Sequence, residues 1–217
     1  MTDMRELSLN VLDIAQNSIA AGARRIRILI REDNVRRLLK IRVEDDGCGM
    51  TPEQVKQVCD PFYTSRTTRK VGLGIPLFKM AAEMTGGSFR IDSVRGAGTA
   101  VNAEFCTDHL DMTPLGDINN TVVLLIRCNP DLDFELRRSV GERELSLDTA
   151  LLRNELGEGI PLNDADVMQW ITEYLQEETE QLLSAQTPFA ANLPRTDHGK
   201  PDENLPLATQ ERKGITR

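Results

Sequence analysis

Leu38-Leu39-Lys40-Ile41-Arg42-Val43-Glu44-Asp45-Asp46-Gly47-Cys48-Gly49 is the stretch on which the reading of the fold turns. Leu39, Ile41 and Val43 alternate with Lys40, Arg42 and Glu44, the period of a strand with one buried face. Upstream, Arg24 to Arg31 alternates in the same way and turns at Asp33-Asn34, so the two segments predict a β-hairpin. The second strand runs into two carboxylates and two glycines. Alone, that is also the composition of an ordinary β-turn.

Working outward, Leu7, Leu9, Val11, Leu12, Ile14, Ala15 and Ile19 have helical spacing, and Gly22 marks the end of a helix over Glu6–Ala21. Asp13 and Asn17, one turn apart, share a face of it. Thr51-Pro52-Glu53 opens a short helix to Val58. Pro61 to Val71 has no apolar period and reads as a loop. Its Arg66, Arg69 and Lys70 stand among hydroxyls ahead of a helix over Ile75–Met84, a phosphate-binding arrangement of cations and free helix amides. Ser88–Ser93 and Thr99–Phe105 flank Gly96-Ala97-Gly98 as a second hairpin. The order α-β-β-α-α-β-β predicts an α+β sandwich, helices on one face of a mixed, largely antiparallel sheet.

The 217 residues carry 26 Lys+Arg against 34 Asp+Glu. Residues 1–108 are net +2 and residues 109–217 net −10. Nucleic-acid binding through field alone is disfavoured, and the change of sign suggests two differently employed halves. Residues 109–184 read as a small acidic α+β appendage, with strands at Thr121–Cys128, Phe134–Val140 and Glu144–Leu147 and a helix from Asn163 or Asp164 to Leu183. Its Val167, Trp170, Ile171, Tyr174 and Leu175 share one face. Residues 185–217, rich in proline and charge, predict a disordered tail. No apolar run is long enough for a membrane span, the N-terminus is unlike a secretory signal, and four scattered cysteines without a C-x-x-C pair suit a reducing cytoplasm.

Neither a P-loop nor a complete G-x-G-x-x-G is present. The ordered set Asp13/Asn17, Asp45-Asp46-Gly47-Cys48-Gly49, Asp60-Pro61-Phe62 and Gly72-Leu73-Gly74 resembles the N, G1, F and G2 boxes of the GHKL ATPases: gyrase, Hsp90, histidine kinases and MutL. The resemblance covers residues 7–106 and implies a Bergerat-type ATP-binding sandwich, residues 1–108 being the nucleotide domain. By it, Asn17 holds Mg²⁺, Asp45 accepts from the adenine amino group, Gly47 and Gly49 let backbone approach the base, and Thr99 stands beside the adenine. Phe62, Arg66, Arg69, Lys70, Gly72 and Gly74 belong to the ATP lid and its close. Asp46 departs from the common Asn, and the glycine-rich G2 stretch of histidine kinases is shortened. Position 13 is a carboxylate, as in the hydrolysing members and the anti-sigma serine kinases, which implies a general base; histidine kinases generally carry an amide there. Six residues precede the first helix, so a phospho-accepting histidine hairpin is not expected upstream. The wording around Thr64–Leu77 is most similar to stand-alone bacterial ATP-binding proteins. The function expected is a cytoplasmic, Mg-ATP-binding regulatory protein that phosphorylates a Ser/Thr hydroxyl of a partner protein or slowly hydrolyses ATP, the acidic half recognising that partner. The alternative is a non-catalytic, ATP-gated interaction module.

Overall fold

The computed structural model describes residues 6–60, 74–157 and 159–184. Phe62, Arg66, Arg69, Lys70 and Gly72 of the expected loop, and the tail 185–217, lie outside the described residues. The elements run α1 (Leu7–Ala20), β1 (Arg25–Asp33), β2 (Leu38–Asp45), α2 (Pro52–Val58), α3 (Gly74–Met84), β3 (Ser88–Val94), β4 (Gly98–Cys106), α4 (Ile118–Cys128), β5 (Asp133–Val140), β6 (Arg143–Asp148), α5 (Thr149–Leu156) and α6 (Ala165–Ser184).

Six strands form one sheet in the order β3-β4-β2-β1-β5-β6. Every neighbouring pair is antiparallel except β1 and β5. The period-2 pattern decides which face is covered. Ile26, Ile28 and Ile30, with Leu39, Ile41 and Val43, Val101, Ala103 and Phe105, and Phe134 and Leu136, are buried beneath the helices. The alternate positions, Arg25, Arg27, Arg42, Glu44, Asn102 and Arg137, line the uncovered face. There Glu135 gathers Arg25, Arg27 and Arg137 at 2.8, 3.0 and 2.6 Å. Phe78 seats α3 on the sheet, its ring 5.4 Å from Phe105 and edge-on to Phe89 at 6.3 Å, and burying such a ring contributes roughly 2–3 kcal/mol.

The α+β sandwich meets the expectation, with two differences. Thr121–Cys128, expected as a strand, belongs to α4. Asp117 starts this helix by accepting from the Asn120 amide at 2.9 Å. Contacts with α1, β5 and α6 bury Ile118, Val122, Val123, Leu125 and Ile126; the contiguous Val122–Ile126 run reads as a buried strand, and the helical spacing shows only once Ile118 is counted with it. The second difference is α5, which the sequence reading passed over. Its signals were Asp148, accepting from the Ala150 amide at 2.9 Å, and Gly157 closing the helix at φ +76°. Segment 109–184 also continues the sheet, with β5 paired to β1 from Arg25 to Glu32.

Candidate functional site

The site grows from the end of β2. The turn 45–50 is held from three directions by hydrogen bonds that its own residue types supply. Asp46 accepts from the Arg24 and Arg25 amides at 2.7 and 2.9 Å, joining the turn to the start of β1. Burial opposes its ionisation, but the Arg25 and Arg24 amides outweigh that and lower its pKa. The Cys48 amide donates to the Ala21 carbonyl at 3.0 Å beyond α1, and the Met50 amide to Ser93 Oγ at 2.8 Å on β3. Gly49 has φ +62°, and a Cβ there would sit 2.0 Å from the Val94 carbonyl oxygen. The turn therefore seats against the β3–β4 turn only with glycine at that position.

Asp45 ends β2 opposite Thr99 of β4. Its Oδ1 accepts from the Gly47 amide at 2.9 Å and its Oδ2 from Ser18 Oγ at 2.6 Å. Each carboxylate oxygen keeps a further lone pair for a ligand donor. Thr99 Oγ1 lies 2.9 Å from Ser93 Oγ. Ser18 and Ser93 escaped the sequence reading. Ser18 is buried directly after Asn17 on a helix interior where a serine needs a partner, which was the available signal.

The second half of the site is the junction of α1 and α3. The Gly74 amide donates to Asp13 Oδ2 at 2.9 Å, and Asn10 Nδ2 donates to the Gly74 carbonyl at 3.3 Å. A Cβ on Gly74 would lie 2.0 Å from Asp13 Oδ2, so only glycine admits the carboxylate to the start of α3. Asp13 is half-buried. Burial raises its pKa above 3.8, and the Gly74 amide offsets part of that rise. Asn17 is exposed one turn further along α1. The structure thus gathers Asp13 and Gly74 at one junction and Asp45, Gly47, Gly49 and Thr99 at the other, with α1 joining the two.

A cavity of about 430 Å³ lies between Arg25, Arg27, Arg42, Glu44 and Asp92 and reaches Asp45, Asp46, Gly98 and Thr99, so it adjoins the end of β2. Its arginines are already paired, with Glu44, Glu135 and Asp148.

A nucleotide-binding sandwich is the class that this sheet, helix layer and turn define. Residues 2–109 match the family described as histidine kinase-, DNA gyrase B-, and HSP90-like ATPase, and the chain belongs to that family. Over 118 residues it is 30% identical to the non-motile and phage-resistance protein of Caulobacter vibrioides, covering 50% of this chain and 14% of that protein. It is 30% identical over 104 residues to histidine protein kinase DivJ of the same organism, and 36% over 104 residues to sensor protein SrrB of Staphylococcus aureus; each match covers 46% of this chain and 17% of the relative. The chain thus spans 14–17% of the length of these relatives. Among the described residues no helix is long and apolar enough to cross a membrane.

The residues present fit Mg-ATP. Asp45 offers a charged acceptor, and Asn17 offers the oxygen donor that a hard cation takes. Among the described residues no group of three or more His, Cys, Asp or Glu could hold a metal ion. A single amide oxygen donor such as that of Asn17 is compatible with Mg²⁺, which keeps several waters and is shared with substrate phosphates.

Proposed function

We propose that this chain binds Mg-ATP between α1, the 45–50 turn and the start of α3, and transfers the γ-phosphoryl group to a Ser or Thr hydroxyl of a partner protein. Asp45 would select adenine, with Ser18 and the Gly47 amide orienting its carboxylate, and Thr99 would stand beside the base. Asn17 would hold Mg²⁺, which when bound neutralises phosphate charge. Asp13 would take the proton from the attacking hydroxyl. The observation that carries the reading is the Asp13 carboxylate at the α3 N-terminus, half-buried with a raised proton affinity and one turn from Asn17. Incubating the protein with γ-labelled ATP, alone and with candidate partners, tests it: label should appear on a partner hydroxyl. The second reading, an ATP-gated interaction module, draws on the same contact, because Asp13 already serves α3 structurally. Nucleotide binding without turnover under any partner would favour it.

Two expected results follow from the geometry. Asp45→Ala removes a charged acceptor worth about 1.5–3 kcal/mol, so ATP affinity should fall roughly ten- to hundredfold while inorganic triphosphate binds almost as before; calorimetry with both ligands decides, and equal losses would reject adenine recognition. On histidine, the isolated protein should accumulate no acid-labile phosphate. His109 follows β4, and its Nδ1 accepts from the Asp111 amide at 3.1 Å, so the nitrogen lone pair is engaged. Label recovered on His109 would restore a histidine-kinase reading.

A further inference from the structure

We propose that the outer face of α6 is a docking surface for a partner protein, and that it takes a basic segment whose arginine or lysine seats on the Trp170–Tyr174 ring pair. The two rings are stacked, with centroids 5.2 Å apart and planes 10° from parallel. Tyr174 is fixed from below, its hydroxyl donating to the Ser146 carbonyl of β6 at 2.9 Å. Trp170, held on that ring, remains 48% exposed. A large aromatic immobilised at the surface loses little conformational freedom on binding, and tryptophan is prominent among the residues that dominate interfaces.

Charge around the platform selects the occupant. Asp166, Glu173 and Glu177 stand four residues before, three after and seven after Trp170, on the same side of the helix. With Glu178 and Glu180 they make five carboxylates in a helix that has no lysine or arginine. A guanidinium over the indole face gains the cation–π attraction while neighbouring cations meet the carboxylates. Nucleic acid is repelled by the same charges. A second copy of this chain suits the platform less well, because the arginines of its uncovered sheet face are largely committed to Glu44, Asp92, Glu135 and Asp148.

The inference rests on the reading that the chain acts on a protein partner, and its test is run without nucleotide, so failed docking and failed phosphoryl transfer are separate results. Trp170 is the single tryptophan of the chain, so its emission reports this surface alone. Titrating the full chain with a short peptide of alternating arginine and serine should give a saturable change in emission, and the glutamate counterpart should give none. Read by anisotropy of the labelled arginine peptide, Trp170→Leu should weaken binding about five- to thirtyfold. Glu173→Gln with Glu177→Gln should weaken it and flatten its salt dependence, whereas Glu83→Gln on α3 should change nothing. Trp170 is half exposed, so its replacement should leave the circular dichroism and melting curve unchanged. Peptide binding that leaves Trp170 emission unaltered, or that Trp170→Leu does not weaken, would overturn the proposal. So would self-association in sedimentation that Trp170→Leu abolishes, which would assign the face to a second copy.

Discussion

Asp13→Asn should lower turnover by about 10²–10⁴ while leaving Mg-ATP affinity within a few-fold, the usual worth of a general base. The substitution isolates the proton-accepting role because the asparagine side-chain oxygen can still receive the Gly74 amide that Asp13 Oδ2 accepts at 2.9 Å. Asp13→Ala would leave that amide without its partner and disturb the start of α3 as well. The base must be ionised, and burial raises its pKa above 3.8, so the rate should climb with pH through a value above that of a free carboxylate. In the free protein the sign for stability is the reverse. A carboxyl group whose pKa is raised by folding contributes stability that is full below 3.8 and is lost as pH rises through the folded value. Asp13→Asn, uncharged throughout, should therefore be more stable than the parent near neutral pH, with the difference closing in acid; urea titrations at the two pH values measure it. Wild-type turnover in Asp13→Asn would remove the base assignment and leave the phosphoryl-transfer reading without its proton acceptor, whereas no turnover in the parent protein with any partner would favour the interaction module.

The second large effect is expected at Gly98, which begins β4 with φ +100°. A Cβ there would lie 2.0 Å from the Asp45 carbonyl oxygen and 3.1 Å from Asp46 Cα. Both obstacles are backbone, and one belongs to the residue read as the adenine acceptor. Gly98→Ala should cost about 3–5 kcal/mol, the sum of left-handed strain and a contact that forces β4 away from β2. That corresponds to a fall in Tm of about 10 °C or more, and ATP affinity should fall with it as Asp45 shifts from Ser18. Gly96 is the control. It has φ +84°, but nothing lies within 4 Å of an added Cβ, so Gly96→Ala should cost only about 1 kcal/mol and leave binding intact. Equal losses at the two positions by thermal denaturation would show that backbone strain alone, and not the approach to Asp45, governs this turn.

The charge break near residue 108 suggests two differently employed halves, yet β5 lies beside β1 in the same sheet. Net charge summed over a segment is blind to pairing: Arg25 and Arg27 of β1 meet Glu135 of β5 at 2.8 and 3.0 Å across that break, and the backbone ladder that joins the strands carries no charge. Thr121–Cys128 misleads for a different reason: Val122 to Ile126 is one contiguous apolar run, which periodicity alone assigns neither to helix nor to strand, and Ile118, which completes the helical spacing with Val122, Leu125 and Ile126, lies outside that segment.

What the amino-acid sequence determined by itself was local. Alternation placed β1 and β2, the glycine turn at 96–98 placed β3 and β4, the glycine stop at 86–87 bounded α3, helical spacing placed α1 and α6, and the ordered Asp13/Asn17, Asp45 to Gly49, Asp60-Pro61-Phe62 and Gly72-Leu73-Gly74 pointed to the ATPase family, because turns, caps and glycine positions are written in neighbouring residues. Only the tertiary structure decided the contacts between distant ones. Ser18 reaches Asp45 across 27 positions and Asp13 reaches the Gly74 amide across 61. Gly49 yields to the Val94 carbonyl, and Tyr174 fixes its ring on the carbonyl of Ser146. Each is set by how the sheet brings separate strand and helix ends together, and no period or motif in a single stretch of chain encodes that meeting.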